Sequence, residues 1–377
     1  MTELTGFVQS VITLVIFVLI LGFLVVIHEL GHFIMARLAG VRVLEFGIGF
    51  PPRAKVLRSE GETLYTLNWL PLGGFVKLEG EDGDSDDSRS FVRAGLPVKL
   101  IILVAGVAMN VLLAVVIFTA IGWLPGRSGS LGFAYVQPGS PAALIKLQGT
   151  GEGKDDQPAD RILAIDGEQF HDFDSGQGML DSLRSRAGRS VVLTILHADG
   201  STADLTTKLR APDQIDATHG PLGIEGVRYD PVDISFTRSP ASAVSFGLAR
   251  TGEAFGLIAS GLGSLGDAIV HRPTEAPPVQ GPVGIAVGVG QVFWQQGPIA
   301  TLFLAGLLSA NLALVNILPL PPLDGGRMFV LILKSLVGKR LSVQAERLTY
   351  LVGFGFLMLF LAWITFFDIA RQIGGGQ

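Results

Sequence analysis

Four stretches of this 377-residue chain are apolar over a length that can cross a lipid bilayer, for which about twenty residues suffice. They lie at about residues 7–35, 98–124, 298–318 and 351–367. A further apolar stretch, 241–270, is interrupted by charged residues and glycines, and we expect an amphipathic helix at the membrane surface there. The pattern predicts a polytopic α-helical membrane protein with about four transmembrane helices.

Composition agrees with a membrane protein. Hydrophobic residues make up 49% of the chain, charged residues only 16%, and the mean hydropathy is +0.50. A formal net charge of −5 without a sustained basic cluster argues against a nucleic-acid partner. The chain has no cysteine, which excludes disulfides, thiolate metal ligands and a cysteine nucleophile.

Basic side chains are concentrated in the connection between the first two spans and in the connection between the last two. Residues 1–10 contain none, and the C-terminal tail contains Arg371. Because Lys and Arg favour the cytoplasmic side, both basic connections are predicted to be cytoplasmic, and both termini and the long middle segment lie outside. The first span has no basic residues before it and is too long for a signal peptide, so we expect it to be retained.

The first span contains the sequence His28-Glu29-Leu30-Gly31-His32. On a helix the two histidines stand one turn apart on one face, so both can reach a single metal ion, with Glu29 beside it to handle protons. Two satisfied histidines on a helix are the simpler alternative. Ionisable groups inside a span cost a few kcal/mol each unless they pair or coordinate, and this favours a metal. The motif predicts a metalloprotease that works inside the membrane.

A hydrolytic zinc site takes three protein ligands and leaves a fourth position for water, so two histidines require one more donor. Asp324 is the best candidate, because prolines and glycines around it permit a turn after the third span. With four spans, this turn lies on the same side of the membrane as His32. If 241–270 also crossed, Asp324 would lie on the opposite side. The alternative is that Asp324 only caps the next helix.

Several motifs together resemble the site-2 proteases, and most closely the bacterial branch that trims membrane-bound anti-sigma factors. The motifs are His28 to His32, Asn316 with Pro319, Pro321 and Leu323-Asp324-Gly325, Gly281 to Ala286, and Gly106 with Asn110. The resemblance covers nearly the whole chain. It implies one zinc ion per chain, held by His28, His32 and Asp324, with Glu29 as the general base.

The resemblance also implies residues that bind substrate. Asn316, Pro319 and Pro321 are expected near the substrate backbone. Asn110 is a weaker transfer, because the family usually has a proline after the preceding glycine, where this chain has Val107. A buried asparagine that binds a neighbouring helix explains Asn110 equally well.

Two strand-like segments, 41–50 and 64–78, lie between the first two spans and resemble the membrane-associated β-sheet of the family. A substrate helix must be held in an extended form to be cut, and a sheet edge can do this by strand addition. Gly73, Gly74 and Phe75 are therefore assigned to substrate binding, although an ordinary cytoplasmic hairpin is the alternative. The acidic run 79–87 is predicted to be a solvated loop.

The middle of the chain resembles a single PDZ domain of α+β type. Its motifs are Gly132 to Tyr135, Pro138 to Ala143 and Asp160 to Gly167, with strands expected at 131–137, 161–166 and 191–197 and a helix at 177–187. A filter against bulky ectodomains is favoured over specific peptide capture. The predicted domains are 1–126 and 281–377 for the two halves of the protease core, 127–210 for the PDZ-like domain, and 211–280 for a linker with the amphipathic helix.

The sequence thus predicts an intramembrane zinc metalloprotease of the inner (plasma) membrane, with the active site near the cytoplasmic side and the PDZ-like domain outside. Its expected partners are membrane lipid and single-pass membrane proteins already shortened by another protease, such as anti-sigma factors or signal-peptide remnants. The alternative is a non-enzymatic membrane quality-control adaptor, which would bind unfolded or truncated proteins through the PDZ-like domain and whose metal centre is structural or empty. Glu29 argues against the adaptor, because a closed structural zinc site needs no glutamate beside it.

Overall fold

The computed structural model describes residues 2–59, 61–81, 83, 85–151, 159–170, 176–216, 219–272, 274–337 and 343–374. The chain forms two compact units, one of Met1–Ile121 with Ala243–Gln377 and one of Gly122–Ser242. The helices are α1 Thr2–Leu38, α2 Leu96–Trp123, α3 Pro141–Leu144, α4 Gly176–Ser185, α5 Pro240–His271, α6 Pro282–Gln296, α7 Pro298–Asn316, α8 Asp324–Val337 and α9 Val343–Gly374. The strands are β1 Val43–Arg58, β2 Leu64–Leu78, β3 Gly126–Gly132, β4 Tyr135–Val136, β5 Arg161–Ile165, β6 Glu168–Gln169, β7 Ser190–Leu196, β8 Thr202–Lys208, β9 Ile224–Glu225 and β10 Arg228–Phe236.

Within the described residues, five helices are long and apolar enough to cross a membrane, by length and composition: α1, α2, α5, α7 and α9. Four of them coincide with the predicted spans. Helix α5 is the least apolar, with a mean hydropathy of 1.3 in its best window against 1.9 to 3.2 for the others. Its length also permits a crossing, so the surface position of α5 and the four-span topology stay predictions.

Small residues let the helices of the first unit approach closely. A Cβ atom at Gly31 of α1 would lie 2.3 Å from the Ala105 carbonyl oxygen of α2, so the two backbones pack directly against each other. Further along α2, the Ser309 hydroxyl of α7 donates to the Asn110 carbonyl at 2.8 Å. Helix α2 therefore packs against both α1 and α7.

The hairpin of β1 and β2 follows α1, as the sequence predicts, but β1 continues past Pro51-Pro52 to Arg58. It does so because residues 53–58 pair with residues 65–68 of β2. The first part of β1, residues 43–48, lies between residues 74–78 on one side and 64–67 on the other. Residues 74–78 thus pair with β1, and Gly74 also lies close to Val26 and Glu29 of α1.

A buried carboxylate joins the two parts of β1. The Glu45 side chain accepts hydrogen bonds from Arg53 Nε at 3.0 Å and from the Thr66 hydroxyl at 2.8 Å. Burial acts to raise the pKa of Glu45, but these hydrogen bonds and the positive charge of Arg53 outweigh it and lower the pKa below its ordinary value. The ionised carboxylate therefore stabilises the bend of the hairpin.

The second unit contains an antiparallel sheet with the strand order β10-β3-β5-β7-β8, and β6 pairs with β5. Strands β5 and β7 and helix α4 form where the sequence predicts them. The strand expected at 131–137 is interrupted, because the chain leaves β3 after Gly132 and pairs through β4 with β9. Strand β10 lies in the stretch assigned to the linker and forms an edge of this sheet by pairing with β3.

The core of the second unit lies between the sheet and α4. Its buried side chains come from most elements of the unit: Leu131, Phe133, Ile162, Ile165, Phe170, Met179, Leu183, Val191, Leu193 and Ile195. These side chains give the unit a core of its own.

Candidate metal and catalytic centre

Helix α1 presents His28 and His32 on one face, since residues four apart lie one above the other. Their Nε2 atoms are 3.2 Å apart, and both residues are buried, at 5% and 8% exposure. Both rings also contact α2. His32 Nδ1 lies 2.8 Å from the Ile102 carbonyl oxygen, and His28 Nδ1 lies 3.1 Å from the Asn110 side-chain amide.

Asp324 reaches the two histidines from the start of α8. Its Oδ2 atom lies 2.9 Å from His28 Nε2 and 3.2 Å from His32 Nε2. The turn between α7 and α8 is tight enough that a Cβ at Gly325 would lie 2.2 Å from the Ile317 carbonyl oxygen. The glycine after Asp324 is therefore required for the turn that brings this carboxylate to α1.

The three side chains fit a zinc ion. Two imidazole nitrogens and one carboxylate oxygen lie 2.9 to 3.2 Å from one another, close enough for one ion with bonds of about 2.0–2.1 Å to reach all three. When His32 Nδ1 donates to Ile102, the lone pair of His32 Nε2 points to the other two donors. Three protein ligands leave a fourth position for water, as in hydrolytic zinc sites.

Glycine at position 106 of α2 makes room for this arrangement. A Cβ there would lie 2.4 Å from His32 Nε2 and 2.8 Å from His28 Cε1. Real Cβ atoms do not approach other atoms so closely, so any side chain at this position would push both rings away from Asp324.

Glu29 lies beside the three donors and is oriented by the hairpin. Its carboxylate lies within 4.8 Å of the histidine nitrogens, and its Oε2 atom accepts a hydrogen bond from the Val76 backbone N–H at 3.1 Å. One oxygen is thus fixed by the hairpin, and the other can interact with a water molecule at the centre. This arrangement suits a general base.

The centre opens into a cleft of about 260 Å³ between α1, the hairpin and α8. Gly74, Phe75 and Val76 of the hairpin line one side, and Arg327 of α8 lines another. Gly74 and Phe75, assigned to substrate binding from the sequence, thus face the centre. Gly73 precedes them at φ +129°, in contact with Val25, and forms the bend before the strand.

The other residues assigned to substrate binding lie elsewhere. Asn110 is fully buried, with its side-chain amide against His28. The described residues that line the cleft do not include Asn316, the last residue of α7, the exposed Pro319 or the partly exposed Pro321. Pro321 packs closely against α9 at Gly353. Substrate binding by these four residues stays a prediction.

Sequence reasoning missed two charged residues of the cleft. Arg327 donates to Glu81 at 2.7 Å, and Glu81 also accepts from the Leu78 backbone N–H at 3.1 Å. Arg327 stands about one turn after Asp324 on α8, a spacing that could have indicated a shared face. Glu81 belongs to the run expected to be a solvated loop. That expectation holds for the fully exposed Asp86 but not for Glu81, whose side chain is 16% exposed.

Substitution Gly106→Ala is expected to lower zinc affinity by at least about tenfold, because the added methyl group displaces both histidine rings. Zinc retained after dialysis against a chelator measures the effect. Gly256→Ala in α5 is the matched control, since a Cβ at this helical glycine meets no atom within 4 Å. Wild-type zinc retention in Gly106→Ala would contradict the described fit.

Comparison with known proteins agrees with the geometry of the centre. The model of peptidase family M50 matches residues 16–360, which include all three candidate ligands and Glu29. A protein of Clostridium perfringens, named provisionally as a zinc metalloprotease, is 32% identical over 352 residues, 93% of this chain and 96% of its own. Zinc metalloprotease RasP of Geobacillus kaustophilus is 26% identical over 443 residues, 97% of this chain and 99% of its own. Several helices among the described residues are long and apolar enough to cross a membrane, and with the family match they make the protein an integral membrane protein. The resemblance inferred from the motifs is thus confirmed, and the chain is a zinc metalloprotease that belongs to peptidase family M50, the site-2 protease family.

Proposed function

We propose that this protein hydrolyses peptide bonds in or near the transmembrane segments of single-pass membrane proteins. The observation that carries the proposal is that Asp324 of α8 meets His28 and His32 of α1 next to Glu29. The most apolar 18-residue stretch of α1 has a mean hydropathy of 3.2. Ionisable groups are costly in such a helix and are retained there for a function. An adaptor would need neither an open ligand position nor a general base.

The hairpin supplies a means of holding the substrate. The Val76 and Leu78 N–H groups point away from β1 and bind the side chains of Glu29 and Glu81. Carbonyl groups of an extended peptide can replace these carboxylates as acceptors, which adds a strand at the edge of residues 74–78. The unwound peptide would then run past Gly74 and Phe75 into the cleft, with its scissile carbonyl at the metal ligands.

Glu29 is assigned the proton transfers of the reaction. When bound by His28, His32 and Asp324, zinc supplies Lewis-acid activation of a water molecule and of the scissile carbonyl. Glu29 takes a proton from the attacking water and delivers it to the leaving amide nitrogen, so that the C–N bond breaks to give a carboxylate and an amine. The substrate N–H and C=O groups held by the hairpin keep the scissile bond extended throughout.

The second unit is proposed to act as a filter for substrate size and not as a peptide-binding module. In the loop expected to bind a carboxylate, the Ala134 N–H already donates to the Glu225 carbonyl at 2.9 Å, and the Phe133 and Ala134 carbonyls accept from Thr150 and Gly151. These internal hydrogen bonds compete with a peptide. A filter on the outer side fits substrates that another protease has already shortened, and cleavage near the cytoplasmic side of the inner membrane would release a cytoplasmic fragment.

Reconstitution in liposomes tests the proposal with two versions of one single-pass model substrate, one with a folded ectodomain and one truncated. We expect cleavage inside or next to the transmembrane segment, located by mass spectrometry, and faster cleavage of the truncated version. A zinc chelator should stop the reaction, and added zinc should restore it. Cleavage confined to soluble loops would overturn the intramembrane function, and equal rates for the two versions would overturn the filter.

A further inference from the structure

Asn110 of α2 is fully buried beside the metal ligands and has no part in the mechanism above. Its side-chain amide lies 3.1 Å from His28 Nδ1, and its backbone carbonyl accepts a hydrogen bond from Ser309 of α7. Among the described residues, no hydrogen-bond partner lies near Asn110 Oδ1, although this atom is buried. An unpartnered oxygen next to a metal ligand requires an explanation.

The explanation follows from the ring nitrogen that His28 offers to the metal. His28 Nε2 faces Asp324 Oδ2 and His32 Nε2, so Nε2 is the ligating atom and carries no proton. In the neutral ring the proton then lies on Nδ1, which becomes a donor. A donor at this point needs an acceptor, and the amide nitrogen of Asn110 is not one.

Rotating the Asn110 amide by 180° exchanges its oxygen and nitrogen, which occupy nearly equal positions. Oδ1 then accepts the proton of His28 Nδ1–H. We propose that Asn110 is a positioning residue that fixes His28 in the tautomer able to bind zinc. This inference rests on the proposed role of His28 as a zinc ligand.

The contacts of His32 give the same arrangement on the neighbouring ring. His32 Nδ1 lies 2.8 Å from the Ile102 carbonyl oxygen, which is an acceptor in any rotamer. Ile102, Gly106 and Asn110 are spaced four residues apart and form one face of α2. This face provides an acceptor for each histidine, with the space at Gly106 between them. Asn110 is the one of these three that acts through a side chain and can be tested by substitution.

The test measures zinc affinity by competition with a chromophoric chelator in detergent. Asn110→Leu keeps the branching of the side chain but removes the acceptor, and we expect its zinc affinity to fall about 10- to 100-fold, as for other residues that orient metal ligands. Asn110→Asp keeps an acceptor and removes the donor, and it should retain affinity close to that of the wild type. The absorption spectrum of the cobalt-substituted protein should be altered in Asn110→Leu and restored in Asn110→Asp.

Ser309→Ala is the matched control, because it removes the buried hydrogen bond to the same residue without touching His28. It should lower thermal stability and leave zinc affinity unchanged. Unchanged affinity in Asn110→Leu overturns the proposal, and so does loss of affinity in Asn110→Asp. If Asn110→Leu and Ser309→Ala lowered zinc affinity equally, Asn110 would act only through packing, and the proposal would be overturned. Failure of the wild type to bind zinc would instead overturn the ligand assignment itself.

Discussion

Glu29→Gln is expected to stop peptide hydrolysis while zinc stays bound. Glutamine has the shape of glutamate and can still accept the Val76 N–H through its amide oxygen, but it cannot take a proton from water. General-base catalysis contributes about 10²- to 10⁴-fold, so the cleavage rate should fall by about 10³-fold. Zinc content and cleavage of a transmembrane model substrate are measured side by side on purified wild type and variant.

Two outcomes would change the assignment of Glu29. If the variant cuts as fast as the wild type, Glu29 is not the general base. If it loses its zinc, Glu29 is a ligand, which its position within 4.8 Å of the histidine nitrogens makes a real alternative. Glu62→Gln serves as the control. Glu62 lies exposed in the loop between β1 and β2, and its carboxylate pairs with Arg89 at 2.8 Å. Its activity should match that of the wild type.

Asp324→Ala is expected to lose both zinc and activity. The carboxylate is the one donor that comes from outside α1, and its removal leaves two imidazoles, too few to hold zinc firmly. We expect zinc affinity to fall by more than about 100-fold, beyond the effect known for residues that only orient ligands. Metal analysis after gel filtration in detergent, together with substrate cleavage, measures both effects.

Asp368→Asn is the control for loss of a buried carboxylate. Asp368 of α9 accepts hydrogen bonds from the Gly281 and Gly284 N–H groups at the start of α6, at 3.2 and 2.8 Å. An amide can satisfy only one of these donors well, so thermal stability should fall while zinc content is kept. A zinc-free Asp324→Ala protein that still cleaves substrate would refute the assignment of the metal ligands.

The sequence predicted the parts of the centre that follow from local pattern. The apolar runs predicted the helices α1, α2, α7 and α9, and the spacing of His28 and His32 placed them on one face. Asp324 could be assigned to the same metal site because, with four spans, the turn after the third span lies on the same side of the membrane as His32. Of the motifs that carried the family resemblance, the one around Glu29 and His32 and the one around Asp324 lie far apart in the chain and meet in one cleft.

The sequence could not predict contacts that depend on how these elements pack. The hydrogen bond from Val76 to Glu29 requires the register of the hairpin against α1. The contact of Asn110 with His28 requires the rotation of α2, which a uniformly apolar helix does not reveal. The ion pair between Glu81 and Arg327 joins two segments 246 positions apart, and no local pattern connects them. The pairing of β10 with β3 is likewise non-local.

The carboxylates of Glu29 and Glu81 occupy backbone N–H groups at the edge of residues 74–78. A backbone N–H without an acceptor costs several kcal/mol in a lipid environment, and an exposed strand edge invites adhesion to other chains. Glu29 and Glu81 supply acceptors at Val76 and Leu78. In the proposed mode of substrate binding, an entering segment would have to release its own helical carbonyls and displace both glutamates. Stable helices of neighbouring membrane proteins would not do so, and the edge of residues 74–78 would stay closed to them.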